Sequence, residues 1–176
     1  MSELLTTLPR PRTARPSRGG VPATGAHLLD WDWARYRLED ARNYWIATSS
    51  AARRPHTRPV WGVWLPAGFC FVTGSAAVRN LAVSREITVH LESGDEVVIA
   101  EGEATLLSAQ ADLSRLAEEL HRKYRWALHL ADGRLAGEGG QGGPAYLVRP
   151  RVVFGWAQNG ESMTRWRFGP PVGQRA

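Results

Sequence analysis

The residues of this chain best suited to chemistry are arginines, tryptophans and glycines gathered on segments rich in β-forming residues. Arg54-Pro55-His56-Thr57-Arg58-Pro59-Val60-Trp61 runs into Gly62-Val63-Trp64; Val72-Thr73-Gly74 follows, and then Arg79-Asn80-Leu81. A second set reads Val153-Phe154-Gly155-Trp156 and Thr164-Arg165-Trp166-Arg167-Phe168. Arginine is a planar, permanently charged fork suited to phosphate and carboxylate. Tryptophan offers a flat face on which a ring can stack. Together these residue types suit a phosphorylated aromatic ligand. Other chemistries have no signature. His27, His56, His90, His121 and His129 lack metal-ligand spacing. No nucleophile elbow and no phosphate-loop or dinucleotide glycine motif is present, and serine, histidine and aspartate form no recognisable triad.

Each of these residues also has an ordinary reading. Trp61 and Trp64 suit core or interface packing, Arg79 a surface ion pair, and His56 a packed strand position. Arg165-Trp166-Arg167 can form a cation–π ladder. His121-Arg122-Lys123-Tyr124 reads as a solvated helix face. Cys70, between Phe69 and Phe71, reads as a packed residue and not a reactive thiol.

The elements that must position these groups follow from period and punctuation. Residues 1–29 are expected to be a disordered arm, their first 26 rich in Pro, Arg, Thr and Gly with little to bury. Residues 30–169 form the folded domain and 170–176 a flexible tail. Asp30 can cap a helix over 31–42, with Trp33, Tyr36 and Arg37 at helical spacing. Tyr44 to Thr48 reads as a strand. Residues 55–65 read as a second strand, which Pro55 and Pro59 push toward an edge, bulge or bend because each lacks a ladder donor. Pro66-Ala67-Gly68 turns the chain into a strand over 69–73, and Ser75 can cap a helix over 76–83. Strands at 86–92 and 95–107 precede a helix from Ala111 to Trp126, where Leu113, Leu116, Leu120 and Tyr124 share a face. Gly133 to Gly143 reads as a mobile connection. Strands near 145–149, 151–157 and 162–168 complete the chain. Antiparallel strands at this spacing tend to close into a small barrel.

At 176 residues the chain is long enough for one domain with a substantial core. No run approaches the roughly 20 apolar residues a membrane helix requires, and no apolar signal segment follows the N-terminal arginines. One cysteine precludes an internal disulfide, so a cytoplasmic setting is expected. The net charge of +5 is carried by the two ends, +3 over the first 29 residues and +4 over the last 28, which leaves the middle at −2. Without a basic stripe, nucleic-acid binding is not expected.

The run from Arg54 to Trp61, with Thr73-Gly74 and Arg79-Asn80-Leu81 after it, resembles the flavin and deazaflavin (F-420) oxidoreductase split barrels, the superfamily that contains pyridoxamine 5'-phosphate oxidase. The resemblance covers roughly residues 31–168. It implies a mainly β fold, an FMN-binding-type split β-barrel with peripheral helices, and a homodimer with cofactor sites between subunits. It implies that the backbone of Arg58, Pro59, Val60, Trp61, Gly62 and Val63 borders the ring. Val72, Thr73 and Gly74 would lie beneath the ring or near its phosphate-bearing chain, and Arg79 and Asn80 near the phosphate. Trp156, Arg165 and Trp166 would complete the pocket. Family members usually carry a phosphate-contacting lysine where this chain has Ala77. Coenzyme F-420 is the first cofactor expectation, on the W-G-V-W and T-R-W-R-F segments, and FMN the second. The implied activity is hydride transfer to or from a small unsaturated molecule, with no catalytic acid or base named. The alternative is a non-catalytic flavin, deazaflavin or haem binding protein. A weaker reading has the arginine-rich arm docking an acidic partner.

Overall fold

The computed structural model describes residues 5–16, 27–157 and 162–169. Twelve strands and three α-helices follow in order: β1 (Arg12–Ala14), α1 (Trp31–Asp40), β2 (Tyr44–Ser49), β3 (Pro55–Val60), β4 (Gly62–Leu65), β5 (Gly68–Val72), α2 (Ala76–Val83), β6 (Glu86–His90), β7 (Glu96–Leu106), α3 (Gln110–Tyr124), β8 (His129–Ala131), β9 (Arg134–Ala136), β10 (Gly142–Gly143), β11 (Ala145–Ala157) and β12 (Thr164–Arg167). The fold is the expected split β-barrel, mainly antiparallel sheet with peripheral helices.

The large sheet runs β1-β12-β11-β7-β6-β2-β3. Its long strand β11 explains the split. One edge of β11 pairs with β7 from Tyr146 to Ala157, with a bulge at Arg151. The other edge is shared: Ala145 to Val148 pair with β5, and Val152 to Gly155 pair with β12. The sheet therefore forks, one branch continuing to β4 and the other to β1. At the far end, β3 pairs with β2 alone and runs through Trp61 directly into β4. The barrel is thus closed at Trp61 by the covalent chain and not by a ladder. Residues 55–65, expected as one strand, are two strands in different branches. Pro59 and Gly62 flank the break, where a lost ladder donor and a flexible backbone cost least.

Two apolar clusters fill the interior. Tyr44, Phe69, Phe71 and Trp166 anchor one; Leu113, Leu116 and Leu120 of α3, with Cys70 and Leu147, form the other. Each large side chain buried in this way stabilises by about 1.5–3 kcal/mol. Asp30 caps α1 as expected, its carboxylate accepting from the Asp32 N–H, and Ser75 caps α2 by accepting from Ala77. Cys70 is fully buried, and burial pushes its thiol pKa up.

Two further segments differ from expectation. Part of the arm is seated: β1 pairs with β12 in the register Thr13 to Trp166, and the Leu8 N–H donates to the Pro66 carbonyl. Strand pairing and a backbone bond hold this segment, and its partly buried Leu8 and Leu5 pack against the two apolar clusters. The rest of the arm, apart from residues 27–29, and the tail at 170–176 lie outside the described residues. The glycine-rich connection also has structure. β8, β9 and β10 form a small antiparallel sheet, and Asp132-Gly133, both with positive φ, make the turn between β8 and β9.

Candidate functional site

Among the described residues one edge of β3 has no strand partner, which leaves that edge open to a ligand, and the Pro59 carbonyl accepts from Arg58 Nε at 3.4 Å. Trp61, where the chain passes into β4, is 40% exposed. It stacks on Tyr124 with ring centroids 4.9 Å apart and planes 8° from parallel, and Trp126 meets it edge-on at 5.6 Å. Tyr124 fixes this corner. Its hydroxyl accepts from the Gly62 N–H at 3.2 Å and can donate to the carbonyl of Gly62 (2.6 Å) or Arg42 (2.7 Å). Lys123 beside it donates to the Tyr44 hydroxyl at 2.8 Å, and Tyr44 in turn donates to the Leu38 carbonyl. Burial pushes the Lys123 amine down to about 8 and raises Tyr124 above the usual phenol value. The supposed solvated helix face is therefore divided: His121 and Arg122 are exposed, whereas Lys123 and Tyr124 turn inward and tie α3 to the barrel.

Arg58, Pro59, Val60 and Trp61 on one side and Val72, Thr73 and Gly74 on the other line a single cavity of about 350 Å³, together with Trp126, Gln141 and Gly142. A larger cavity of about 800 Å³ adjoins it, with Gly74, Gln141 and Gly142 in both walls. Ser75, Val78 and Arg79 form the α2 side of the larger cavity, and Asp132, Arg134 and Leu135 are among those on the β8–β10 side. Thr73 and Ser75 share a hydroxyl hydrogen bond of 2.9 Å, which fixes the turn into α2. Seven of the residues singled out in the sequence thus meet in the smaller cavity, and Arg79 reaches the larger one beside Gly74.

The others lie elsewhere within the subunit. Gly62 and Val63 are buried, Val63 in the α3 cluster. Asn80 does not line either cavity: it is buried, and its side-chain amide donates to Thr48 Oγ1 at 2.9 Å, tying α2 to β2. Trp166 is 0% exposed and belongs to the core, with Trp31 5.7 Å away. Alternation along β12 turns Thr164 and Trp166 inward, and Gly155 leaves the space for the indole, which a Cβ there would approach to 2.8 Å. Trp156 and Arg165 are half-buried on β11 and β12 and line neither cavity. Ala77 is fully buried in the barrel core and lines neither cavity. Sequence reasoning missed Trp126, Arg134 and Gln141. Asp132-Gly133 between two short apolar segments was the available hairpin signal.

No family model matches the sequence, and no curated protein is similar to it. Among solved structures, the chain shares the split-barrel fold of pyridoxamine 5'-phosphate oxidase-like proteins. A conserved hypothetical protein from Mycobacterium tuberculosis is similar with a TM-score of 0.61 and 17% identity, covering 77% of this chain and 89% of that one. PhzG from Burkholderia lata, solved with tetrahydrophenazine-1-carboxylic acid, gives 0.52 and 15% over 77% of this chain and 84% of its own. A haem binding protein from Mycobacterium smegmatis gives 0.54 and 12% over 76% and 57% respectively. At these identities the likeness is one of fold. Among the described residues, no helix is long and apolar enough to cross a membrane, and no cluster of three or more metal-ligating side chains occurs.

Proposed function

We propose that this chain is a split-barrel oxidoreductase that binds FMN or coenzyme F-420 and transfers hydride to or from a small unsaturated molecule. The observation that carries the reading is the convergence of the free backbone edge at Arg58 to Trp61 with Val72 to Gly74 on one cavity, next to a second cavity bearing arginine. The residues fit such a group. Backbone N–H and C=O groups on the open edge of a strand can meet a polar ring edge, and Trp61 gives an apolar, partly exposed plane. Arg79, near the capped start of α2, suits a phosphoryl oxygen. The bound cofactor would supply the hydride chemistry; this chain would bind it, orient it and leave one face open. Trp156 and Arg165 line neither cavity of their own chain, and the proposal includes a homodimer in which a second copy would bring them to the site.

A non-catalytic role is the second reading, favoured by the absence of any ionisable group other than Arg58 from the smaller cavity's wall. Haem fits less well than a flavin, because no His, Cys, Met or Tyr lines either cavity to ligate iron. Titration of the purified protein with FMN and with F-420, followed by tryptophan quenching, tests the proposal. Binding below roughly 100 μM, weakened tenfold or more in Arg79→Ala, supports it. Binding of neither cofactor in that range refutes it, and tight binding with no turnover of any reducible substrate moves the second reading to first place.

A further inference from the structure

The larger cavity has a wall that the family resemblance leaves unexplained. It comes from the glycine-rich β8–β10 sheet, which docks where Thr73-Gly74 leads into α2. Gly142 and Gly143 have φ of +118° and +142°, and a Cβ on Gly143 would stand 2.5 Å from the Thr73 carbonyl oxygen. Only glycine allows so close a seat in that conformation. Arg134, the first residue of β9, is thereby brought to the cavity that Arg79 lines from α2. Neither guanidinium has a hydrogen bond or ion pair among the described residues. One carboxylate, Asp132, shares the wall, and it is within ion-pair range of neither arginine. Two cations and one anion therefore face the space, an excess of one positive charge. The helix position at which the family carries its lysine cannot contribute, since Ala77 is buried in the core.

We propose that Arg134 is the second cation of a phosphoryl-binding subsite, working with Arg79 in place of the charge that position 77 does not supply. The inference rests on the cofactor reading above and assigns a residue to its anionic end. Two guanidiniums held on separate elements can each present a donor fork to different oxygens of one phosphate monoester or diester. Asp132 opposes the anion, so the site is tuned by a pair of positive groups against one negative neighbour.

Riboflavin and FMN separate the two ideas, because they share the ring and differ by the phosphate. The expected result is that the wild-type protein binds FMN at least tenfold more tightly than riboflavin. Arg134→Ala should lower FMN affinity roughly tenfold to a hundredfold and leave riboflavin binding unchanged. Arg134→Lys should recover part of the loss, and Asp132→Asn should tighten FMN several-fold. The fall of FMN affinity with salt should also be shallower in Arg134→Ala. An unchanged FMN-to-riboflavin ratio in Arg134→Ala overturns the proposal and spares the ring site. If the wild type binds neither compound, the FMN form of the ring reading fails, the F-420 titration decides the rest of it, and inorganic pyrophosphate then decides the subsite. Shifts of the Arg79 and Arg134 Nε–H resonances on its addition, weakened by Arg134→Ala, sustain the subsite; no shift up to about 10 mM overturns it.

Discussion

Tyr124→Phe isolates the pin beneath Trp61. The substitution keeps the ring that stacks on the indole and removes only the hydroxyl. That hydroxyl accepts from Gly62 N–H and donates to one of two carbonyls, Gly62 or Arg42. Gly62 is buried, so the loss leaves one donor and one acceptor to be satisfied elsewhere. An orphaned buried group costs about 1–3 kcal/mol, and water can reach the Arg42 side, so we expect a loss of about 2–4 kcal/mol. For a domain of this size that corresponds to a Tm lower by roughly 5–15 °C. Urea unfolding followed by tryptophan fluorescence measures the free energy, and Tyr36→Phe on the exposed face of α1 provides a control expected to be near neutral. A Tyr124→Phe protein within about 0.5 kcal/mol of wild type would refute the assignment of this hydroxyl as the fixing point of the β3–β4 break.

Lys123 is the only lysine, so a protein labelled with ¹³Cε-lysine should give one side-chain resonance with a midpoint near pH 8; a midpoint above pH 10 would show that burial does not depress it. Because its folded pKa lies below its unfolded value of 10.5, the unfolded chain holds more protons between pH 8 and 10.5. This group's penalty is therefore full below pH 8 and is relieved as the pH rises, a dependence that Lys123→Met should remove from a series of urea midpoints. Cys70 should resist a disulfide-exchange reagent in the native protein and react at once in denaturant, since it is fully buried with its thiol pKa raised; rapid native reaction would contradict the packing. Gly143→Ala should destabilise the protein by about 1–3 kcal/mol through the positive φ and the approach to Thr73, and should weaken FMN binding if the two cavities depend on that seat.

The barrel was legible because its strands are punctuated by turn residues and its helices carry caps: Asp30 and Ser75 both stand where the sequence suggested. The segments at 58–61 and 72–74 were singled out through the family resemblance, and they do meet at one cavity. Three features were not. The break at Trp61 depends on which neighbour each half finds, and nothing local distinguishes one long bent strand from two. The β8–β10 sheet is built of strands of two or three residues, too short to show a period, so its glycines suggested mobility when they serve close docking. Trp166 was expected in the pocket through the resemblance of the T-R-W-R-F segment, whereas alternation along β12 turns the indole into the core and its flanking arginines to the opposite face.

The pairing of β1 with β12 bears on how the chain is made. Residues 12–14 leave the ribosome well before their partners at 165–167. Among the described ladders this one joins the residues farthest apart in sequence, so its loop-closure cost is the largest of them. During synthesis β1 must remain unpaired while β2 to β11 assemble, and it can dock only once β12 is in place. The N-terminal segment is then the closing step of folding, and its docking should report completion of the barrel.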